Sequence, residues 1–220
     1  MTAVLIPALN AAQTLSELFS RLTSHISREW IVVVDDGSTD STARIAEEFG
    51  VCVIRHGVNR GKGAALRTGF EHILGMSQFQ SVITMDADLQ HDPDEIPKFI
   101  AKSKQGNVDV IVGSRKRMGS GMPFHRLMSN TITSLLVGAR AGVVMKDSQS
   151  GFRWISREVL SAVTIEFDGY EAETELLLKA ARKGFTIDFV PIETIYGMEA
   201  SHMTPWQTTR RFLQVLMKEY

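Results

Sequence analysis

Short β-branched runs at 3–8, 31–34, 51–55, 82–85 and 108–112 alternate with helical patterns, and this alternation constrains the fold more than any other feature of the chain. Leu15, Leu18, Leu22 and Ile26 recur at helical spacing, as do Ile45 and Phe49, then Leu66, Phe70, Ile73 and Leu74. Asp40 is placed to cap the second of these helices through its side-chain oxygen. Strands that are apolar without interruption need cover on both faces. The pattern therefore predicts an α/β fold, a Rossmann-like and mostly parallel sheet flanked by helices.

The second half is less regular. Residues 113–123 form a loop rich in Gly, Met, Lys and Arg, expected to be mobile. A helix is predicted from Arg126 to Val137, a polar turn over 147–153, a helix over 173–182 and a strand over 185–191. A last helix starts near Pro205 and carries Trp206, Phe212, Leu213 and Leu216. With 220 residues, and with no repeat or linker, a single domain is expected.

Charge narrows the partners. Lys plus Arg number 24 and Asp plus Glu 25, a net charge of −1, so no global field recruits nucleic acid. Cys52 is the only cysteine, which excludes an internal disulfide and a thiolate metal cluster; its apolar neighbours predict a buried, inert thiol. No apolar run reaches the roughly 18 residues of a spanning helix, and the start of the chain lacks signal-peptide features. A cytoplasmic protein is expected, soluble or peripheral on the cytoplasmic face of a membrane.

Ligands of open α/β sheets bind beyond the carboxyl ends of the strands. The polar stations there are Asn10, Asp35-Asp36, 59–63, 86–88 and Ser114-Arg115. Asp86-Ala87-Asp88 follows the fourth run. Two carboxylates two residues apart at a turn are hard oxygen donors that suit Mg²⁺ or Mn²⁺ on a phosphate, and Gln90 offers a neutral oxygen. In isolation such a pair reads as a solvated helix cap; its place at a strand end selects the metal reading. Asp35 and Asp36 can accept hydrogen bonds from a base or from ribose hydroxyls, or serve the turn that Gly37-Ser38 favours, and one acid for each use is expected.

The glycine loop 57–63 is one residue short of a Walker A motif, and Gly63 stands where the hydroxyl would be, which rejects an ATPase. Lys62 in such a loop can still approach a nucleotide. No G-x-G-x-x-G follows the first strand, which argues against a dinucleotide oxidoreductase. The six histidines are scattered and are expected mostly at the surface, with no zinc site. Arg115, Lys116, Arg117, His125 and Arg126 surround the 113–123 loop. Taken singly they read as solvated bases. Beside the acids they form the layout for a phosphate-bearing donor and an anionic acceptor.

Six ordered motifs now stand together: Pro7-Ala8-Leu9-Asn10, Val34 to Asp40, Asn59 to Ala65, Met85 to Pro93, Gly113-Ser114-Arg115 and Asp147 to Arg153. Their sequence resembles the family-2 glycosyltransferases of GT-A fold, in particular the dolichyl-phosphate mannose synthase and polyprenyl-phosphate glycosyltransferase branch. The resemblance runs from Ala3 to Arg153 and more weakly beyond. It implies inverting transfer of a sugar from a GDP- or UDP-sugar to a polyprenyl-phosphate or related glycan or lipid acceptor. By position, Pro7, Ala8, Asn10, Asp35, Asp36, Lys62 and Asp86 would line the nucleotide-sugar pocket within a donor half, residues 1–114. Asp86, Asp88 and Gln90 would hold Mn²⁺ or Mg²⁺, with Asp88 catalytic through it.

Arg115, His125 or Arg126, Arg153 and His202 would serve the acceptor in residues 115–220. A lipid phosphate needs no general base; a sugar hydroxyl does, and Asp147 is the candidate. The chain departs from the resemblance at 194–202, where the arginine preceding a Ser-Lys pair is missing and His202 replaces the lysine. The last helix, 205–218, reads two ways. It lies on a membrane through Trp206 and Phe212 beside Arg210, Arg211 and Lys218, or it packs on the sheet. Two further readings stand beside the transferase. One is a non-catalytic nucleotide-sugar-binding scaffold. The other is a sugar-phosphate nucleotidyltransferase, whose Gly-rich loop after the first strand is absent from 7–13.

Overall fold

The computed structural model describes residues 1–115, 124–193 and 205–220. Seven strands form one sheet: β1 (Thr2–Ala8), β2 (Ile31–Asp35), β3 (Cys52–Arg55), β4 (Ser81–Thr84), β5 (Val110–Arg115), β6 (Arg153–Ser156) and β7 (Ile187–Ile192). Their spatial order is β3-β2-β1-β4-β6-β5-β7. All neighbours are parallel except β6, which runs antiparallel to both β4 and β5. The helices are α1 (Leu15–Leu22), α2 (Thr42–Phe49), α3 (Lys62–Leu74), α4 (Ile96–Ser103), α5 (Phe124–Ala141), α6 (Arg157–Ala162), α7 (Ala172–Arg182) and α8 (Pro205–Met217).

The unbroken apolar strands are explained by two cores, one on each sheet face. Ala3 and Leu5 of β1 point into a core with Leu66 and Phe70 of α3, Leu176 and Leu177 of α7 and Val215 of α8. Val4, Ile6 and Ala8 point the other way, toward Leu15, Leu18 and Phe19 of α1 and Phe99 of α4. Alternate side chains along a strand face opposite sides, so both sets must be apolar.

The predicted strands agree with those observed to within three residues at each end, the largest difference being β5, which runs on to Arg115 into the stretch read as a loop, but β6 falls partly in what reads as a polar turn. Arg-Trp-Ile-Ser is too short to show a period, and its pairing supplies what its pattern lacks. Trp154 sits opposite Ile83 on one side and Ile111 on the other. This reversed strand positions the site. Because β6 is antiparallel, its start meets the carboxyl end of β4, with Thr84 opposite Arg153. The 147–152 turn is thereby delivered beside Asp86 and Arg115. The loop 116–123 lies outside the described residues.

Candidate active site

The strand ends converge where β1 separates β2 from β4, the topological switch point of the parallel part of the sheet. Asp86 follows β4, and its backbone N–H donates to His91 Nδ1 at 3.2 Å. A ring nitrogen that accepts is unprotonated. His91 is buried and lies against Phe152, and burial depresses its pKa despite the neighbouring carboxylates. Asp86 Oδ1 lies 2.5 Å from Lys62 Nζ, and Lys62 also pairs with Glu173 Oε1 at 2.9 Å. Burial alone would lift the Asp86 carboxyl, but the Lys62 ammonium outweighs it and holds the group well below the usual carboxylate range. Burial likewise disfavours the charged Lys62, but the two carboxylates keep it protonated.

Asp88 differs. Its Oδ1 accepts the Gln90 backbone N–H at 3.0 Å, while burial and the charge of Asp86 raise its pKa. Gln90 thus meets Asp88 through its backbone. Thr14 ties the donor loop to this turn by donating its hydroxyl to the Ala87 carbonyl at 2.5 Å. Gly151 covers the cluster. A Cβ there would lie 2.8 Å from Glu173 Oε1 and 3.1 Å from both Asp86 Oδ2 and Lys62 Nζ. The Gly151 carbonyl accepts the Thr84 hydroxyl at 2.8 Å, which fixes the turn to β4.

The paired acids after β2 divide their work. Asp36 is committed to the turn: Oδ1 accepts from Arg60 N–H at 3.0 Å and from His56 Nδ1 at 2.6 Å, and Oδ2 accepts from Gly61 N–H at 2.8 Å. Asp35 accepts only the Ser38 N–H among the hydrogen bonds its side chain shows, at 3.1 Å. Asn10, at φ 52°, receives the Thr39 N–H on its Oδ1 at 2.8 Å and so braces the same loop. Pro7 and Ala8 lie at the end of β1, facing Val34 and Asp35.

The glycine loop serves a different need from close approach to a nucleotide. Gly63 N–H donates to the Asp168 carbonyl at 2.7 Å, and Ala64 N–H shares that carbonyl at 3.3 Å. A Cβ at Gly61, which has φ +97°, would lie 2.3 Å from the same oxygen, and one at Gly63 would lie 2.2 Å from the Phe167 carbonyl. Gly61 and Gly63 therefore let the 167–168 segment cap α3.

At the end of β5, Asp147 and Arg115 form a two-pronged ion pair. Arg115 Nε donates to Oδ2 at 2.7 Å and a terminal nitrogen donates to Oδ1 at 2.9 Å. Asp147 is 2% exposed. Burial alone would raise its pKa, but the hydrogen bonds and charge of Arg115 lower it. Ser148 N–H donates to Ser134 Oγ at 3.1 Å, which fastens the turn to α5.

Arg153 is buried as well, at 2% exposure. It donates to three carbonyls, of Ser150 at 2.8 Å, Glu173 at 2.5 Å and Ser148 at 3.0 Å. It lies beneath the turn, joining it to α7, rather than at a surface an acceptor can reach. The side chains of His125 and Arg126, and all of His202, lie outside the described residues. His56 and His91 are buried, against the expectation of surface histidines. Cys52 is half-buried beside His72, and burial raises its thiol pKa, as an inert thiol requires.

Glu173 lies outside the six motifs, while Gly151 stands within Asp147 to Arg153 without a role of its own. His91 stands within the Met85 to Pro93 stretch. The signal for Glu173 is an acid at every second position, Glu171, Glu173 and Glu175, at the start of a helix, where a helix dipole favours negative charge.

Residues 3–164 match the family described as glycosyl transferase family 2. The chain belongs to that family. This transferase is 35% identical over 189 residues to a dolichol-phosphate mannosyltransferase of Pyrococcus furiosus, covering 80% of this chain and 52% of that one. It is 30% identical over 215 residues to the UDP-N-acetylglucosamine–dolichyl-phosphate N-acetylglucosaminyltransferase of Methanococcus voltae, covering 88% of this chain and 85% of the other. In fold it matches glucosyl-3-phosphoglycerate synthase of Mycobacterium tuberculosis, solved with Mn²⁺, UDP and phosphoglyceric acid, at a TM-score of 0.75 and 22% identity, covering 99% of this chain and 77% of that one. The fold is therefore GT-A, a single α/β domain, and the activity is glycosyl transfer.

Proposed function

We propose that the transferase moves a sugar from a nucleoside diphosphate to a polyprenyl phosphate, with inversion and with a divalent cation. The observation that carries this reading is the placement of Asp86 and Asp88 and of the Arg115–Asp147 pair at one sheet edge. An anion-neutralising site and an anion-binding arginine thus stand side by side. The names of the relatives from Pyrococcus furiosus and Methanococcus voltae support the lipid-phosphate acceptor.

The donor set fits Mg²⁺ or Mn²⁺. Among the described residues no three acids, histidines or cysteines form a complete cage, and such ions take few protein ligands and keep oxygens for water and phosphate. Asp86 and Asp88 would hold the ion; burial first, and then the neighbouring charge of Asp86, raise the pKa of Asp88, and a bound cation would offset both. When bound, the ion neutralises charge developing on the leaving nucleoside diphosphate.

The remaining work falls to the chain. Asp35 receives the nucleoside while Asp36 holds the loop. Arg115 orients the acceptor phosphate. An acceptor phosphate oxygen attacks the anomeric carbon as the bond to the diphosphate breaks on the opposite face, through an oxocarbenium-like state. A phosphate oxygen is already anionic, so no base is required. Asp147, with both oxygens on Arg115, aims that arginine.

The lipid acceptor also accounts for the outer face of α5. Met128, Ile132, Leu135 and Leu136 are exposed there, on the helix whose Ser134 holds Ser148. Among the described residues no helix is long and apolar enough to cross a membrane. α8 packs on the body of the fold through Val215, which is buried in the core, and leaves Leu213 and Met217 exposed.

A thermal-shift panel of GDP, UDP, dTDP and CDP, each with and without Mn²⁺, tests the donor site. Binding to the native state raises stability by about 2.7 kcal/mol at a hundredfold excess over the dissociation constant. We expect one nucleotide to shift the melting point only with Mn²⁺, and the shift to vanish in Asp86→Asn. A shift indifferent to metal and to Asp86 would contradict the reading.

A further inference from the structure

Asp86 cannot serve a divalent cation fully while Lys62 holds it. One of its two oxygens is bound to the ammonium at 2.5 Å, and that positive charge repels any second cation brought to the same carboxylate. The ammonium has two sites within reach. Glu173 Oε1 stands 2.9 Å away on its other side, so both carboxylates hold the ammonium at once, and the Lys62 side chain is only 13% exposed, which leaves Glu173 rather than water as its remaining partner if Asp86 is given up. Its four-carbon stem starts at the first residue of α3, giving a compact point charge on a movable arm. His91 does not replace it, because its Nδ1 already accepts the Asp86 N–H and so carries no proton.

We propose that Lys62 is the resident counter-ion of Asp86 and gives that carboxylate up to the divalent cation as the donor diphosphate arrives. Glu173 is the partner that keeps Lys62 beside the site during the exchange. This inference rests on the nucleoside-diphosphate reading and adds an order to it: the cation binds weakly to the empty protein and strongly with nucleotide. Part of that coupling is stored in the Lys62–Asp86 bond. Coupling of this kind is reciprocal, so the nucleotide is in turn bound more tightly with the cation.

Mn²⁺ alone is the probe, with free ion counted by electron paramagnetic resonance on the whole chain. Titrations are run without nucleotide and with saturating GDP or UDP, after subtracting the complex that Mn²⁺ forms with nucleotide in solution. Lys62→Met is expected to tighten Mn²⁺ binding about tenfold in the nucleotide-free protein, the direction set by removal of one adjacent positive charge. With nucleotide the change is expected to be smaller, so the ratio of the two affinities falls.

A uniform field effect would shift both affinities equally and leave the ratio unchanged; that result, or no shift at all, overturns the inference while leaving the metal-dependent reading in place. Should Lys62→Met fail to fold, Glu173→Gln serves. It leaves Lys62 on Asp86 alone and is expected to raise the ratio, and an unchanged or lower ratio overturns the exchange. Mn²⁺ that binds no form of the protein, with or without nucleotide, overturns both the exchange and the reading on which it rests.

Discussion

Both oxygens of the buried Asp147 carboxylate are taken by the Arg115 guanidinium, at 2.7 and 2.9 Å. A carboxylate engaged in this way is a poor proton acceptor and a good anchor. Of the two side chains Arg115 is the more open, at 17% exposed against 2% for Asp147.

Asp147→Asn should therefore act through Arg115. We expect the acceptor KM to rise with the shape of the pH profile unchanged, and stability to fall by roughly 3 kcal/mol, the scale for breaking a buried ion pair. Loss of a basic limb in kcat at unchanged acceptor KM would instead make Asp147 a general base. Stability should also depend on acid. The folded pKa of Asp147 is depressed, so its contribution is present above the ordinary carboxylate pKa and is lost as pH falls through the lower folded value. Denaturation of both proteins across that range checks the sign.

Asp88→Asn should separate function from stability. Burial and the charge of Asp86 both disfavour the ionised Asp88, so the neutral amide should stabilise the unliganded protein, by about 1 kcal/mol, the scale of removing one unfavourable charge. That corresponds to a rise in melting temperature of roughly 2–4 °C at this chain length. Turnover should be abolished in the same variant. Calorimetry beside a transfer assay reads both effects, and a fall in melting temperature would contradict the assigned repulsion.

Arg153→Met should unfold the protein readily. It strips three carbonyls of their donor and leaves no water path to replace it. A loss of about 3–5 kcal/mol is expected from chemical denaturation. If Arg153 met the acceptor instead, stability would hold and only the acceptor KM would move.

Gly151→Ala places a methyl against Glu173, Asp86 and Lys62. Its backbone does not have positive φ, so the effect should fall on the cluster and not on the turn. We expect turnover to fall, by up to about a hundredfold on the scale of a 1 Å misplacement of the reacting groups, with donor KM raised and the melting point within a few degrees of wild type. Unaltered kinetics would show that the cluster yields freely.

Much of this was readable from residue order. β1, β2 and β4 announced themselves because both faces are buried and alternation gives way to near-continuous apolar runs, as in Ile31–Val34 of β2; β3, at the sheet edge, is only half-buried and was legible from its β-branched run alone. The rule that parallel sheets bind at their carboxyl ends pointed to Asp86 and Asp88, and these do stand just past the end of β4. β6 did not announce itself, because four residues set by partners on both sides carry no period of their own. Arg153 and Asp36 look like ligands on paper; only burial and three or more hydrogen bonds apiece reveal them as struts. Glu173 lies 111 residues from Lys62 in sequence (173 − 62), and no local pattern connects them. The backbone at 167–168 fills the space beside Gly61 and Gly63, a packing that no local pattern in 57–63 announces, while a Cβ at Gly57 would meet nothing within 4 Å.

The central claim is tested most directly by sugar transfer itself. The purified chain is supplied with radiolabelled GDP- and UDP-hexoses and with polyprenyl phosphate in lipid vesicles, with Mn²⁺ or with EDTA. We expect label from one donor to appear on the lipid phosphate, as an acid-labile product of inverted anomeric configuration, and to be absent with EDTA and in Asp88→Asn. Transfer that persists in EDTA and in Asp88→Asn, or label that reaches no lipid phosphate from any donor, would contradict it.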